Sequence, residues 1–128
     1  MPLKFTQIHH VAIIVSNLAS AKHFYVDILG LPIIREHYRP EKNDTKLDLQ
    51  LDNCQLEIFA ATHPPKRPSF PEACGLRHLA FKTTNIEAEV VYLKEQGVRC
   101  EEIRRDTFTN EKMTFFFDPD GLPLELHE

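Results

Sequence analysis

Two tandem βαβββ modules, an α+β architecture, are predicted by three observations. Segments recur at a fixed offset: His10-Val-Ala-Ile-Ile-Val-Ser-Asn17 aligns with His78-Leu-Ala-Phe-Lys-Thr-Thr-Asn85, 68 residues later. At the same offset, without a gap, Asp52 to Ile58 meets Asp120 to Leu126, so Glu57 matches Glu125. His10 precedes Glu57, and His78 precedes Glu125, by the same 47 residues. Lastly, each copy runs in the order apolar strand, amphipathic helix, three further strand-like runs. Self-similarity at a fixed period marks a duplicated structural unit.

The elements follow in chain order. Residues 6 to 15 carry a β-branched apolar run and read as a buried strand with His10, Ala12 and Ile14 on one face. Ser16 or Asn17 can cap a helix whose stripe is Leu18, Ala21, Phe24, Tyr25, Ile28 and Leu29. Gly30 is placed to end that helix. A strand is expected from Pro32 to about Tyr38, then a polar loop over 39–45. Leu47, Leu49 and Leu51 alternate with Asp48 and Gln50, the pattern of a half-buried strand, and Cys54 to Ala60 supplies the strand that holds Glu57.

Residues 62–74 hold four of the nine prolines and break every periodic pattern. They read as a stiff linker, because proline fixes φ. The expected organisation is therefore one domain over 1–128: module one at 1–61, the linker, and module two at 75–128. The second copy is expected to run as a strand from Leu76 to Thr83, a helix ending at Gly97, and strands near 98–105, 112–118 and 122–127. Thr84 and Glu87 have capping-box spacing, Ile86, Val90 and Leu93 face inward, and Asp118-Pro-Asp-Gly121 signals a turn.

Composition narrows the function classes. A chain of 128 residues can bury a full core. Its formal net charge of −4 offers no basic footprint, so neither nucleic acid nor an anionic membrane is an expected partner. No apolar run reaches membrane-spanning length, and the opening residues lack signal-peptide character. Cys54, Cys74 and Cys100 are odd in number and widely spaced, and read as buried free thiols. A cytoplasmic protein is expected.

The matched His10/Glu57 and His78/Glu125 pairs are the candidate site. Leu56 and Ile58 flank Glu57, and Leu124 and Leu126 flank Glu125, so alternation turns both carboxylates away from the apolar face. Carboxylates held there need a cation or water to meet them. Two imidazoles and two carboxylates, with no thiolate, suit one divalent ion: Ni, Co, Zn or Mn. Four protein ligands leave positions open in an octahedral shell, the mark of a catalytic site. His9 should point to the opposite face from His10, and His127, near the C-terminus, is expected to be exposed. Arg35, Arg39, Lys46, Arg77 and Lys112 either hold an anionic substrate or are solvated surface charges.

Four motifs carry a family resemblance over essentially the whole length: Ile8-His-His-Val-Ala-Ile13, Phe24-Tyr-x-x-Ile-Leu-Gly30, Gly75-Leu-Arg-His-Leu-Ala-Phe81 and Asp118-Pro-Asp-Gly-Leu-Pro-Leu-Glu125. The chain resembles the vicinal oxygen chelate superfamily, which includes glyoxalase I, extradiol dioxygenases, methylmalonyl-CoA epimerase, fosfomycin-resistance transferases and bleomycin-resistance proteins. The resemblance implies glyoxalase-like βαβββ modules, each sheet curling around half of a metal site, with His10, Glu57, His78 and Glu125 as ligands. It is nearest to small bacterial glyoxalase I-like proteins. The implied activity is a metal-dependent lyase of the lactoylglutathione lyase type, acting on a 2-oxoaldehyde–thiol hemithioacetal. Glu125 is the implied base and Glu57 the second candidate. Ile14 and Ala60/Ala61 stand where glyoxalase I commonly carries glutathione-binding Arg and Asn, which leaves the thiol open. The family's exchange of modules between subunits implies a homodimer. The alternatives are other metal chemistry (epimerase, thiol transferase or dioxygenase) or non-catalytic binding of a small molecule.

Overall fold

The computed structural model describes residues 1–128 and divides into two compact units, Met1–Pro65 and Lys66–Glu128. Unit one contains β1 (His10–Val15), α1 (Leu18–Lys22), β2 (Ile33–Arg39), β3 (Asp44–Gln50) and β4 (Gln55–Ala60). Unit two contains β5 (Leu79–Lys82), α2 (Ile86–Glu95), β6 (Arg104–Arg105), β7 (Lys112–Phe117) and β8 (Pro123–His127). The sheets have equivalent orders, β1-β4-β3-β2 and β5-β8-β7-β6. In each, the first and last strands pair in parallel and the rest antiparallel. The fold is thus the α+β tandem of βαβββ units that the repeat predicts. No helix is long and apolar enough to cross a membrane.

In unit one the core lies on the face of Ile13, Val15, Leu47, Leu49, Leu56 and Ile58, with Ala21, Phe24, Tyr25 and Ile28 of the helical segment also buried. Asn17 caps α1, its side-chain Oδ1 accepting from the Ser20 N–H at 2.9 Å. From His23 to Ile28 the helix widens to a π turn, in which the Leu29 N–H donates to the Phe24 carbonyl. The wider turn accommodates Phe24 and Tyr25, adjacent in sequence and both buried, where 100° of rotation per residue would part them. Gly30, at φ 76°, then reverses the chain.

Unit two departs from expectation in three places. The 98–105 run forms only the two-residue β6 and a bridge from Cys100 to Phe116. The capping box does not form: Glu87 pairs with Lys112, and the Asn85 N–H at the start of α2 donates instead to the Thr83 hydroxyl at 3.1 Å. Thr83 also bonds Glu89. The gap-free repeat slips by one residue in β7, because the β7–β8 turn is one residue longer than the β3–β4 turn. Glu57 therefore faces Asp48 across the strands, whereas Glu125 faces Phe115. The cysteines are free but not buried as expected: Cys74 is exposed, Cys54 and Cys100 are half-buried, and desolvation raises the pKa of the Cys100 thiol above its usual value.

Leu47 is fully buried at the centre of unit one. Leu47→Ala should cost about 2–5 kcal/mol, read as a lower urea midpoint at unchanged m-value. Asp44 closes the β2–β3 hairpin by accepting two bonds from Arg39, at 2.7 and 2.6 Å, and those bonds hold its carboxyl below the ordinary value. A lowered folded pKa gives stability that is present above the ordinary carboxyl range near pH ~4 and fades as pH falls through the folded value. Asp44→Asn should therefore lower the melting temperature at pH 7 and shrink the loss on acidification. An unchanged acid limb would show that the pair contributes nothing.

Candidate metal centre

Parallel pairing of β1 with β4 places Ala12 beside Glu57, and pairing of β5 with β8 places Ala80 beside Glu125. His10, two residues before Ala12 in β1, lies on the face of Glu57. His78 immediately precedes β5, and its contact with Glu125 places it. The side chains meet. His10 Nε2 lies 3.5 Å from Glu57 Oε2, and His78 Nε2 lies 3.2 Å from Glu125 Oε1. In both units the imidazole offers Nε2, the nitrogen farther from the backbone.

The supports of the two imidazoles differ. His78 packs edge-on against Phe115, ring centroids 5.0 Å apart. His10 is met by His9, Nδ1 to Nδ1 at 2.9 Å with the rings edge-to-face. The expectation that His9 points away fails because β1 begins at His10, so strand alternation does not govern His9. One of the two Nδ1 atoms must donate and the other accept, and the contact leaves His10 Nε2 directed at Glu57.

These donors fit a divalent cation. Ligand atoms about 2.1 Å from a common ion and subtending roughly 90–110° lie about 3.0–3.4 Å apart. The His78–Glu125 separation falls within that span and the His10–Glu57 separation just beyond it. Glu125 is buried at 7% exposure with no Lys or Arg partner, the setting in which a carboxylate needs a positive counterpart. Neither unit by itself gathers three or more His, Cys, Asp or Glu side chains as a complete centre. Each holds one His–Glu pair.

Around Glu57 lies a charged row that the sequence disclosed only in part. Asp48 is fully buried although its strand reads as half-buried, because Arg35 and Lys46 cover it. Arg35 Nε donates to Asp48 Oδ2 at 2.6 Å. Lys46 Nζ sits 3.1 Å from Asp48 Oδ1 and 3.6 Å from Glu57 Oε1. Burial raises the Asp48 carboxyl, but the bonds from Arg35 and Lys46 outweigh it and the group is held below its usual value. The signal was Lys46-x-Asp48, two opposite charges on one face of a strand. The other three cations named from the sequence as candidates are also paired: Arg39 with Asp44, Arg77 with Glu72 and Lys112 with Glu87.

In unit two the corresponding face is aromatic. Phe115 and Phe117 lie under the guanidinium groups of Arg104 and Arg99, at 5.4 and 3.8 Å from the ring centroids. His127 is half-buried rather than exposed, held between Asp106 and Glu111 at 3.4 Å each. A bond with the Glu128 carbonyl, aided by Asp106, raises its pKa above the ordinary histidine value despite some desolvation.

A family model for the glyoxalase/bleomycin resistance protein/dioxygenase superfamily matches residues 7–126. The chain belongs to that superfamily. Within it, a solved glyoxalase family protein from Enterococcus faecalis is 60% identical, with a TM-score of 0.92 over 97% of this chain and 98% of its own. The uncharacterized protein YaeR of Escherichia coli is 50% identical over 98% of both chains. The metallothiol transferase FosB of Staphylococcus epidermidis is 30% identical over 94% of this chain and 81% of its own.

If each His–Glu pair is half of a metal centre, His10→Ala or His78→Ala should lower bound divalent metal well below that of the unaltered protein, by elemental analysis after dialysis. His9→Ala should lose less, since its ring supports His10 without facing Glu57. Equal losses in all three variants would refute this assignment.

Proposed function

We propose that the protein is a metal-dependent carbon–sulfur lyase of the glyoxalase I (lactoylglutathione lyase) type. Its substrate would be the hemithioacetal of a 2-oxoaldehyde and a thiol. The observation that carries this reading is the repeated pair, imidazole Nε2 against carboxylate oxygen, on equivalent parallel strands of both units. His10, Glu57, His78 and Glu125 would hold one divalent ion: Ni, Co, Zn or Mn. When bound, that ion supplies Lewis-acid polarisation of the substrate carbonyl, which acidifies the neighbouring C–H.

The proton transfer falls to a carboxylate of the chain. Lys46 reaches Glu57, whereas Glu125 pairs with His78 alone and faces Phe115 across the strands. Glu125 is therefore the better placed to accept and return a proton. It takes the proton from the carbon bearing sulfur and delivers it to the adjacent former carbonyl carbon. The hydroxyl proton passes from the oxygen on the sulfur-bearing carbon to the former carbonyl oxygen. The first carbon is oxidised and the second reduced by the same two electrons, giving a 2-hydroxy thioester with no atom gained or lost. Desolvation by Phe115 and the buried strand keeps water from competing for that proton.

The free cysteines suit a reducing compartment, and we place the protein in the cytoplasm as a homodimer, checked by sedimentation equilibrium. A second reading, transfer of a thiol to a small electrophile, is favoured by the similarity to FosB. Epimerase or dioxygenase chemistry at the same centre, or binding without chemistry, stands behind these two.

Glu125→Gln should retain much of its metal, because an amide oxygen still coordinates, yet lose about 10²–10⁴-fold in turnover. Glu57→Gln should be milder. Hemithioacetal isomerisation and metal content, measured on both variants, separate base from ligand. The reverse order of severity would exchange the two roles. Absence of isomerisation with every thiol adduct, in metal-loaded unaltered protein, would refute the lyase reading and advance thiol transfer.

A further inference from the structure

The two sheets have equivalent strand orders and equivalent His–Glu pairs, but the faces beside those pairs differ. Opposite Glu57 stands Asp48, and opposite Glu125 stands Phe115. One step along the same face, Phe59 faces Lys46 in unit one, and His127 faces Met113 in unit two. The second unit shows that the equivalent sheet folds with apolar residues, Phe115 and Met113, at the places of Asp48 and Lys46. Replacing a buried ion pair by apolar side chains is often neutral or stabilising, so folding alone does not call for the Arg35–Asp48–Lys46 group.

The geometry of that group is asymmetric. One fully buried carboxylate meets two cations. Arg35 spends only Nε on Asp48, and its side chain is 61% exposed while that of Asp48 is 1% exposed. Asp48 thus fixes the guanidinium from beneath and leaves its terminal nitrogens toward solvent, as a planar fork suited to an oxyanion. Lys46, at 27% side-chain exposure, adds a second positive charge on the adjacent strand. The opposing charge is Glu57, itself met by Lys46 at 3.6 Å and by His10 at 3.5 Å.

We propose that Arg35 and Lys46, oriented by the buried Asp48, form an anion-binding subsite that recognises a carboxylate or phosphate group of the substrate. That the anion belongs to the substrate rests on the reaction proposed above; the subsite itself does not. β3 lies between β2, which carries Arg35, and β4, which carries Glu57, so the two backbones are about 10 Å apart. With the arginine bonded to Asp48 of the intervening strand, the anionic group lies within about 10 Å of Glu57. The substrate class is a small acidic molecule whose charge sits several bonds from its oxoaldehyde-derived carbons, and the thiol is the natural carrier of that charge.

The test has two arms. In the first, malonate and inorganic phosphate are titrated separately into metal-loaded protein at fixed ionic strength, by calorimetry. Saturable binding of either is expected, about tenfold or more weaker in Arg35→Gln and partly regained in Arg35→Lys, which restores charge without the fork. A cooperative unfolding transition above the assay temperature and unaltered metal content in these variants exclude misfolding. In the second arm, hemithioacetals of methylglyoxal with 3-mercaptopropionate and with 2-mercaptoethanol are compared. The acidic adduct should be preferred in kcat/KM, and Arg35→Gln should collapse the preference mainly through KM. Loss of anion binding in Arg35→Gln, with neither adduct turned over by any form, would support the subsite while removing the lyase reading. Turnover of both adducts without preference, together with anion binding that is absent or indifferent to Arg35, would overturn the subsite and leave the lyase reading in place.

Discussion

The parallel pairing of the first and last strands of each unit is the constraint on which the site depends. A parallel pair cannot be closed by a tight turn, so the chain must travel through a helix and two further strands before it returns. That detour separates His10 from Glu57 in sequence while the register brings them onto one face. The same path in unit two delivers His78 to Glu125. Antiparallel hairpins elsewhere in the sheets set the edge of the site but do not assemble it.

Parallel strands are usually buried on both faces, and here one face of each sheet is covered by apolar packing while the other carries the polar groups. This arrangement makes the polar face costly unless every charge has a partner. Unit one meets the requirement with a chain of ion pairs, Arg35 to Asp48 to Lys46 to Glu57 to His10. Unit two meets it largely with aromatic surface beside Glu125: Phe115 supports His78, and the arginines lie over aromatic rings. The contrast gives Glu57 a cationic neighbour and Glu125 an apolar one.

Much of the fold was legible because the apolar periods are clean: Ile13 and Val15, Leu56 and Ile58, and Ile86, Val90 and Leu93 are buried as their spacing predicts. The His–Glu pairs were legible because strand alternation and a repeated offset act on the same residues. What escaped was set by contacts distant in sequence. Glu87 has capping-box spacing, but Lys112 of another strand claims it. Asp48 reads as a solvent-facing residue of an alternating strand, and only the neighbouring strands show that Arg35 and Lys46 bury it. His127 reads as a terminal residue, yet Asp106 and Glu111 of a preceding turn enclose it. The one-residue slip of β7 was hidden because the turn after it restores the offset by β8.

That slip has a physical consequence for the two halves. In a strand, displacement by one residue exchanges the faces of every side chain. With a turn of equal length in both units, Glu125 would face Phe116 and the partner of Glu57 would correspond to a core residue. The longer β7–β8 turn, held by the Asp118 Oδ1 accepting from the Asp120 and Leu122 N–H groups at 2.9 Å each, instead aims Phe115 at the Glu125 face and sends Phe116 into the core. A single extra turn residue thus leaves the His–Glu pair, which the parallel strands set, as it is in unit one and changes what stands beside it. The pairs are equivalent and their surroundings are not: charge is available beside Glu57, and aromatic surface beside Glu125.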